Sequence, residues 1–182
     1  MDALTWWERH GQPERFHRTL KQVGRGYYDA IVRMRGIDSM LDVGCGFGDT
    51  RAWVPDVAYV GVDLTRQFLR SGARSGVRDL AQADAFALPF AARSFDLVTC
   101  RALLEHLTDP LPVLAQMSRV SRGLLLLVWS IHPAKRRTRR VHDPRGFWNI
   151  AWSRRHIMSG LPGWSLTWAA PYDRHLLWLL EA

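Results

Sequence analysis

The sequence predicts an α/β fold: a mostly parallel sheet with helices on both faces and an antiparallel edge strand. Three observations carry this expectation. Short apolar runs alternate with segments of helical spacing along the chain. The runs are apolar at nearly every position, as strands covered on both faces must be, and do not alternate with polar residues. The first run also ends in a glycine-rich turn, which lets the backbone bend sharply as it leaves a strand.

In chain order, residues 13–35 place Phe16, Leu20, Val23, Tyr27, Ile31 and Met34 on one helical face. Gly24 and Gly26 each cost about 1 kcal/mol in a helix, which predicts one or two helices broken near them. Residues 40–43 read as the first strand and 58–62 as the second, ending at Asp63. Residues 77–81 read as a weaker third, 95–99 as a fourth, and 124–129, the longest apolar run, as a fifth. Between them, 65–74 and 110–120 have helical spacing, with Leu111, Leu114, Ala115 and Met117 turned toward the sheet. Residues 130–146 are basic and contain Pro133 and Pro144, the composition of a loop or lid. Ser153 is placed to cap a short helix that reaches Ser159. Residues 164–168 and 175–180 read either as an antiparallel edge hairpin or as a strand followed by a terminal helix. One domain is expected, with a helical segment 1–39, a core 40–129 and a tail 130–182.

Composition narrows the function classes. At 182 residues, 47% hydrophobic and 23% charged, the chain has the mixture of a folded globular domain and not of a disordered one. No apolar run approaches the roughly 20 residues of a membrane helix, and the first residues lack the layout of a signal peptide. Two cysteines, Cys45 and Cys100, are too few for a disulfide framework or a cysteine zinc site, so a cytoplasmic, reducing setting is expected. The net charge is +8, and six of those eight charges fall in residues 130–182, where nine basic residues face three acids. That imbalance fits an acidic substrate, a nucleic acid or an anionic surface, or else a solvated arginine-rich face.

The sharpest chemistry lies in LDVGCGFGDT (41–50). A strand runs into Gly44, Gly46 and Gly48 at alternate positions and then toward a helix. Glycines there admit a ligand close to the main chain. A dinucleotide-binding loop has its third glycine where this chain has Asp49. A carboxylate would repel a pyrophosphate, so the loop suits a nucleoside ligand without phosphates. Asp42, just before the loop, is placed to attract a ligand ammonium group. Asp63 follows Gly44 by 19 residues and can accept both hydroxyls of a ribose, or cap the helix that follows. Asp84, after the third strand, can accept from an adenine amino group. Each acid ends a successive strand, which gathers the three at one crevice.

With these residues in view, the sequence resembles the class I S-adenosylmethionine-dependent methyltransferases, in the small-molecule group that includes ubiquinone and menaquinone biosynthesis enzymes. The resemblance rests on LDVGCGFG (41–48), AYVGVDLT (58–65), ADAFALPFAARSFDLV (83–98) and LLEHLTDP (103–110), in the family's order. It implies a Rossmann-like methyltransferase fold, S-adenosylmethionine as cofactor, and methyl transfer to a small-molecule acceptor by in-line displacement. It further implies that Asp42 and the backbone of Gly44 and Gly46 hold the methionine end, Asp63 the ribose, and Asp84 with the amide of Ala85 the adenine. Cys45 and Leu64 lie in the same motifs and are counted as cofactor-binding with them. Arg101 is expected to pass beneath the cofactor through its backbone. One glycine, Gly123, precedes the fifth strand where the family often has a pair.

Other residues invite a role around this core. His106, one turn past the fourth strand, is the candidate catalytic base, since an imidazole can take a proton from a hydroxyl near neutral pH. The competing role is a histidine held by local hydrogen bonds. His132, His142 and His156 are further candidates to face the pocket. Cys100 reads as a buried core thiol, and the Asn/Asp-Pro-Pro-aromatic motif of amino-directed base methylation is absent. Trp148, Trp152, Trp164 and Trp168 form either helix faces or the walls of an aromatic pocket. No H-x-x-x-H with a carboxylate partner occurs, so no metal is expected. The acceptor is expected to be a small molecule, acidic or aromatic, with no membrane span involved. Two other classes stay open. One is an RNA or protein methyltransferase that holds a polyanion with a lid of Lys135, Arg136, Arg137, Arg139 and Arg140. The other is an inactive cofactor-binding scaffold, against which Asp42, Asp63 and Asp84 are all present.

Overall fold

The apolar runs become a seven-stranded sheet whose central strands are buried on both faces and whose two edge strands are largely exposed. The computed structural model of the chain describes residues 25–130, 138–142, 148–172 and 175–182, with the backbone alone of 129, 130, 139, 141, 142, 148, 171, 172, 175 and 176. The strands are β1 (Ser39–Val43), β2 (Ala58–Asp63), β3 (Leu80–Gln82), β4 (Phe95–Arg101) and β5 (Ser121–Ser130), then β6 (Arg139–His142), β7 (Trp148–Ala151), β8 (Ser165–Tyr172) and β9 (His175–Glu181). The sheet order is β3-β2-β1-β4-β5-β9-β8, with β6 and β7 paired separately. Strands β1 to β5 pair in parallel, and β9 is antiparallel to both β5 and β8. The tail therefore folds back into the sheet as the hairpin alternative, with β8 and not β9 at the edge.

Alternation along each strand feeds two cores. Leu41, Val43, Val98, Cys100, Leu125 and Leu127 face one side, under the helices α3 (Leu111–Val120) and α4 (Arg154–Ser159). Met40, Tyr59, Leu97, Leu126 and Val128 face the other, under α1 (Arg25–Arg35) and a short 3-10 turn, Asp49–Trp53. Helix α2 (Arg66–Arg74) lies against the glycine turn, where a Cβ on Gly72 would come within 2.3 Å of the Phe47 carbonyl oxygen. Only glycine allows that approach.

Several expectations are corrected. In α1 the buried residues are Tyr28 and Ile31, while Met34 is 80% exposed, so the inward face is one position away from the one read from spacing. Gly26 sits in the first turn of α1, where it breaks nothing; Phe16, Leu20, Val23 and Gly24 lie outside the described residues. In α3 the inward residues are Val113, Leu114, Met117 and Val120, and Ala115 faces solvent. The third strand starts at Leu80 and not at 77, because the Val77 amide donates to the Gly72 carbonyl and closes the end of α2. The glycine turn leads into a single 3-10 turn instead of a longer helix. Within the expected loop 130–146, residues 139–142 form β6, paired to β7, so Arg139 and Arg140 are strand residues. His132, Pro133, Lys135, Arg136, Arg137 and Pro144 lie outside the described residues. Ser153 does cap α4, its Oγ accepting from the His156 amide at 3.3 Å.

Candidate functional site

Strand order reverses between β1 and β4, and open α/β sheets bind ligands at the carboxyl ends of strands on either side of such a reversal. Here β1 ends in Asp42-Val43 and turns at Gly44. The Gly44 and Cys45 amides donate to the Val62 carbonyl at 2.9 and 3.0 Å, which ties the turn to β2. The Gly46 amide donates to Asp63 Oδ2 at 2.9 Å. Gly46 has φ +58, and a Cβ built there would meet no protein atom within 4 Å. Its backbone thus borders open space.

Asp42 is buried to 1% exposure. Its Oδ2 accepts from the Tyr59 hydroxyl at 3.0 Å. Its Oδ1 is buried without a well-formed hydrogen bond among the described residues, and the Thr50 hydroxyl lies close enough to the carboxylate to help hold its charge. Burial pushes its pKa up to about 6, against the nearby Arg101 charge, which pulls it down. Asp63 is raised by burial too, opposed by its bonds to backbone amides. Besides Gly46 it takes the Thr65 amide on Oδ1 at 2.8 Å, just ahead of α2. That bond fastens the turn before the helix, whose N-cap is Thr65, so Asp63 is not itself the helix cap, and its oxygens keep lone pairs. Leu64 is half-buried, its carbonyl accepting from Gln82 Nε2 at 2.9 Å. Gln82 is the register partner of Asp63, so Asp84 follows two residues beyond. Asp84 is exposed, with Oδ1 accepting the Phe86 amide at 2.9 Å, and Ala85 beside it is half-buried.

Arg101 is the last residue of β4 and not a residue past it. Its guanidinium carbon lies 4.8 Å from the centroid of the Trp53 ring. Ala102 follows at φ +54, and a 3-10 turn, Leu104–His106, carries His106. Above that turn, Trp152 Nε1 donates to the Leu104 carbonyl at 2.7 Å, and the His156 ring stacks on Trp152 at 4.6 Å and 14°. Cys100 is fully buried with its pKa pushed up, first by burial and then by Glu105, so it is an inert core thiol as expected. The tryptophan pairs are not helix faces. Trp152 follows β7, Trp164 donates to Ser118 Oγ at 2.9 Å, and Trp168 lies in β8 against Tyr27. His132 is outside the described residues, and His142 is described by its backbone alone. Among the described residues no group of His, Cys, Asp and Glu could hold a metal ion, and no helix is long and apolar enough to cross a membrane.

The structure thus gathers Asp42, Gly44, Cys45, Gly46, Asp63 and Leu64 at one turn, with Arg101 beside them on β4. Sequence reading missed Tyr59, Trp53 and the Tyr28–Thr99 hydrogen bond of 2.7 Å beneath Asp42. The only signal for Tyr59 was its place two residues before Gly61, the register partner of Asp42. A recess of about 370 Å³ at the opposite end of the sheet is lined by Arg35, Asp96, Arg122 and Glu181. Its charges pair with one another, Arg35 with Glu181 and Arg122 with Asp96, so it is structural.

A parallel sheet with acids at successive strand ends around a glycine turn is the arrangement in which open α/β proteins hold nucleotide-type ligands. Residues 41–127 match the family model described as methyltransferase domain. That stretch is therefore similar to methyltransferase domains, as its motifs imply. The chain is similar to demethylmenaquinone methyltransferase of Roseiflexus sp. (strain RS-1), 40% identical over 90 residues, covering 45% of this chain and 37% of that protein. It is 29% identical over 135 residues to ubiquinone biosynthesis O-methyltransferase of Hahella chejuensis, covering 66% of this chain and 53% of that one. The chain spans about half the length of these curated relatives, or less. Among solved structures, the YcgJ protein of Bacillus subtilis superposes with a TM-score of 0.64 at 24% identity, over 81% of this chain and 72% of that one. The [4+2]-cyclase SpnF superposes equally well, with a TM-score of 0.65 at 19% identity, over 80% of this chain and 60% of that one. The fold is Rossmann-like and common to these structures, and fold alone does not fix the reaction.

Proposed function

We propose that the chain is an S-adenosylmethionine-dependent methyltransferase acting on a small-molecule acceptor. One observation carries the reading: a buried carboxylate, Asp42, keeps an oxygen without a well-formed hydrogen bond beside a glycine turn that borders open space. An unsatisfied buried acceptor costs about 1–3 kcal/mol, and a ligand ammonium would relieve it. Asp63 would hold the ribose with its remaining lone pairs, while Asp84 and the Ala85 amide would take the adenine edge. Cys45 and Leu64 would flank the nucleoside, and the backbone of Gly44 and Gly46 the methionine end.

When bound, S-adenosylmethionine supplies a methyl group already activated by its sulfonium. The task of the chain's own residues is then to align the acceptor and exclude water. We assign His106 to the acceptor's proton where the acceptor is a hydroxyl. The part of the tail that packs near His106, around the buried Trp152 and the His156 ring stacked on it, is assigned to the acceptor side. A small aromatic or acidic acceptor suits the basic tail, and the quinone-named relatives support an aromatic one. The free, buried Cys45 and Cys100 suit a reducing, cytoplasmic setting.

Calorimetric titration with S-adenosylhomocysteine, followed by transfer of labelled methyl groups to a panel of phenols and hydroquinones, tests the reading. Saturable binding and transfer to an aromatic hydroxyl are expected. Absence of binding would overturn it. His106→Ala should lower turnover by about 10²- to 10⁴-fold with S-adenosylhomocysteine affinity unchanged.

A further inference from the structure

We infer that Arg101 and Asp42 form a two-point clamp on the amino-acid end of the cofactor, the Arg101 guanidinium taking its carboxylate and Asp42 Oδ1 its ammonium, with Trp53 setting the guanidinium in place. The inference rests on the proposed cofactor and goes beyond the backbone contact expected of Arg101.

Register supplies the first argument. Asp42 pairs with Thr99 across β1 and β4. Arg101 is two residues past Thr99, so its side chain leaves the same face of the sheet as those of Asp42 and Thr99. Asp63 is two residues past Gly61, the partner of Asp42 on β2, and shares that face too. One face of the sheet end therefore carries two acids and one arginine around the glycine turn.

The second argument is how each charge is held. Tyr59 occupies Asp42 Oδ2 and leaves Oδ1 to a ligand. The buried Trp53 ring supports the guanidinium at 4.8 Å, a cation–π geometry. Trp53 is in turn packed on Tyr28, with ring centroids 5.4 Å apart. The Arg101 charge reaches Asp42 and Tyr28, lowering the pKa of both against the larger effect of burial. An anion and a cation set side by side on fixed supports match a zwitterion, and a guanidinium matches a carboxylate in shape as well as charge.

The third argument separates cofactor from acceptor. Trp152 and Leu104, hydrogen-bonded to each other near His106, belong to the core on the α3 side of the sheet. Trp53, Tyr28 and Tyr59 belong to the core on the other side. Arg101 stands with the second group, away from His106.

The test is calorimetry with two probes: S-adenosylhomocysteine, and its decarboxylated form, which keeps the amine and lacks the carboxylate. Arg101→Met should weaken S-adenosylhomocysteine by about 10- to 100-fold, the scale of a hydrogen bond to a charged group, and leave the decarboxylated probe within about twofold. Arg101→Lys, which keeps the charge and loses the planar fork, should recover only part of the loss. Equal weakening of both probes in both variants would overturn the clamp, and so would no weakening of either. Failure of the wild-type chain to bind S-adenosylhomocysteine at all would instead overturn the proposed function beneath it.

Discussion

Replacing Asp42 by asparagine should stabilise the protein while removing its cofactor affinity. Asp42 is 1% exposed, and one of its oxygens lacks a well-formed hydrogen bond among the described residues. Burial moves its pKa from 3.8 to about 6. The folded state therefore holds the proton more tightly than the unfolded chain does. The group's contribution to stability is full below pH 3.8 and is lost as pH rises through about 6. The gap is about two units, and at roughly 1.4 kcal/mol per unit the ionised carboxylate costs the fold about 3 kcal/mol at pH 8. Asparagine removes the charge, keeps an acceptor for Tyr59, and turns its amide toward Thr50, whose hydroxyl neighbours Asp42. Urea unfolding at pH 8 should show the variant more stable by up to about 3 kcal/mol, with the gain gone near pH 4. Titration with S-adenosylhomocysteine should show the opposite, a loss of binding. In the wild type that affinity should fall as pH drops below about 6, where Asp42 takes up its proton. Asp63, also raised by burial, adds a part that Asp42→Asn leaves in place. A variant no more stable than wild type at pH 8 would refute the claim that Asp42 carries an uncompensated charge.

Three further outcomes are expected. Gly72→Ala should destabilise by about 1–3 kcal/mol in urea unfolding, because its Cβ would lie 2.3 Å from the Phe47 carbonyl oxygen, a backbone atom that cannot step aside. Gly46→Val should abolish S-adenosylhomocysteine binding in calorimetry, since the branched side chain enters the space its backbone borders, and its φ of +58 should add about 1–3 kcal/mol of strain seen as lower stability. Asp63→Ala should weaken S-adenosylhomocysteine by about 1.5–3 kcal/mol and also lower stability, because the Gly46 and Thr65 amides lose their acceptor; with an analogue lacking both ribose hydroxyls, only the stability loss should remain.

What the sequence disclosed depended on whether the signal was local. β1, β2, β4 and β5 were legible because burial of most positions makes each a mainly apolar run. β3 was misplaced by three residues because Val77 and Leu80 serve as packing for the glycine turn, and their apolar character reports that contact and not a strand. β6 has the sequence Arg-Arg-Val-His, without an apolar face, and exists through its pairing with β7. The acids of the site were legible from their places at strand ends. Their partners were not. Tyr59 reads as an ordinary strand aromatic, and Trp53 as an ordinary core residue. Tyr59 reaches the site through the pairing of β2 with β1, and Trp53 through the packing of its 3-10 turn against Tyr28 and Arg101, which no local pattern encodes. Arg101 was singled out for its backbone, because its guanidinium gains meaning only once Trp53 lies beneath it.

Asp42 and Asp96 show how two carboxylates on neighbouring strands of one sheet come to opposite roles. Asp96 starts β4, at the end of the sheet away from the glycine turn. Its Oδ2 accepts the Ser39 amide at 2.9 Å and the Ser39 hydroxyl at 2.7 Å, and its Oδ1 accepts from Arg122 at 2.7 Å. Desolvation alone would raise its pKa, but Ser39 and Arg122 outweigh it and hold the group below its ordinary value. Its stabilising contribution is therefore present above the unfolded value of 3.8 and is lost as pH falls through the lower folded value. Asp96→Asn should lower stability at pH 7 and leave S-adenosylhomocysteine affinity unchanged, the mirror image of Asp42→Asn on both counts. The contrast follows from valence. A carboxylate with both oxygens answered inside the chain fastens β1 to β4. One left half answered in the interior destabilises the unliganded fold, and a ligand that completes it recovers that cost as affinity. If both variants shifted stability in the same direction at pH 7, the unanswered oxygen of Asp42 would not be the source of binding energy at this turn.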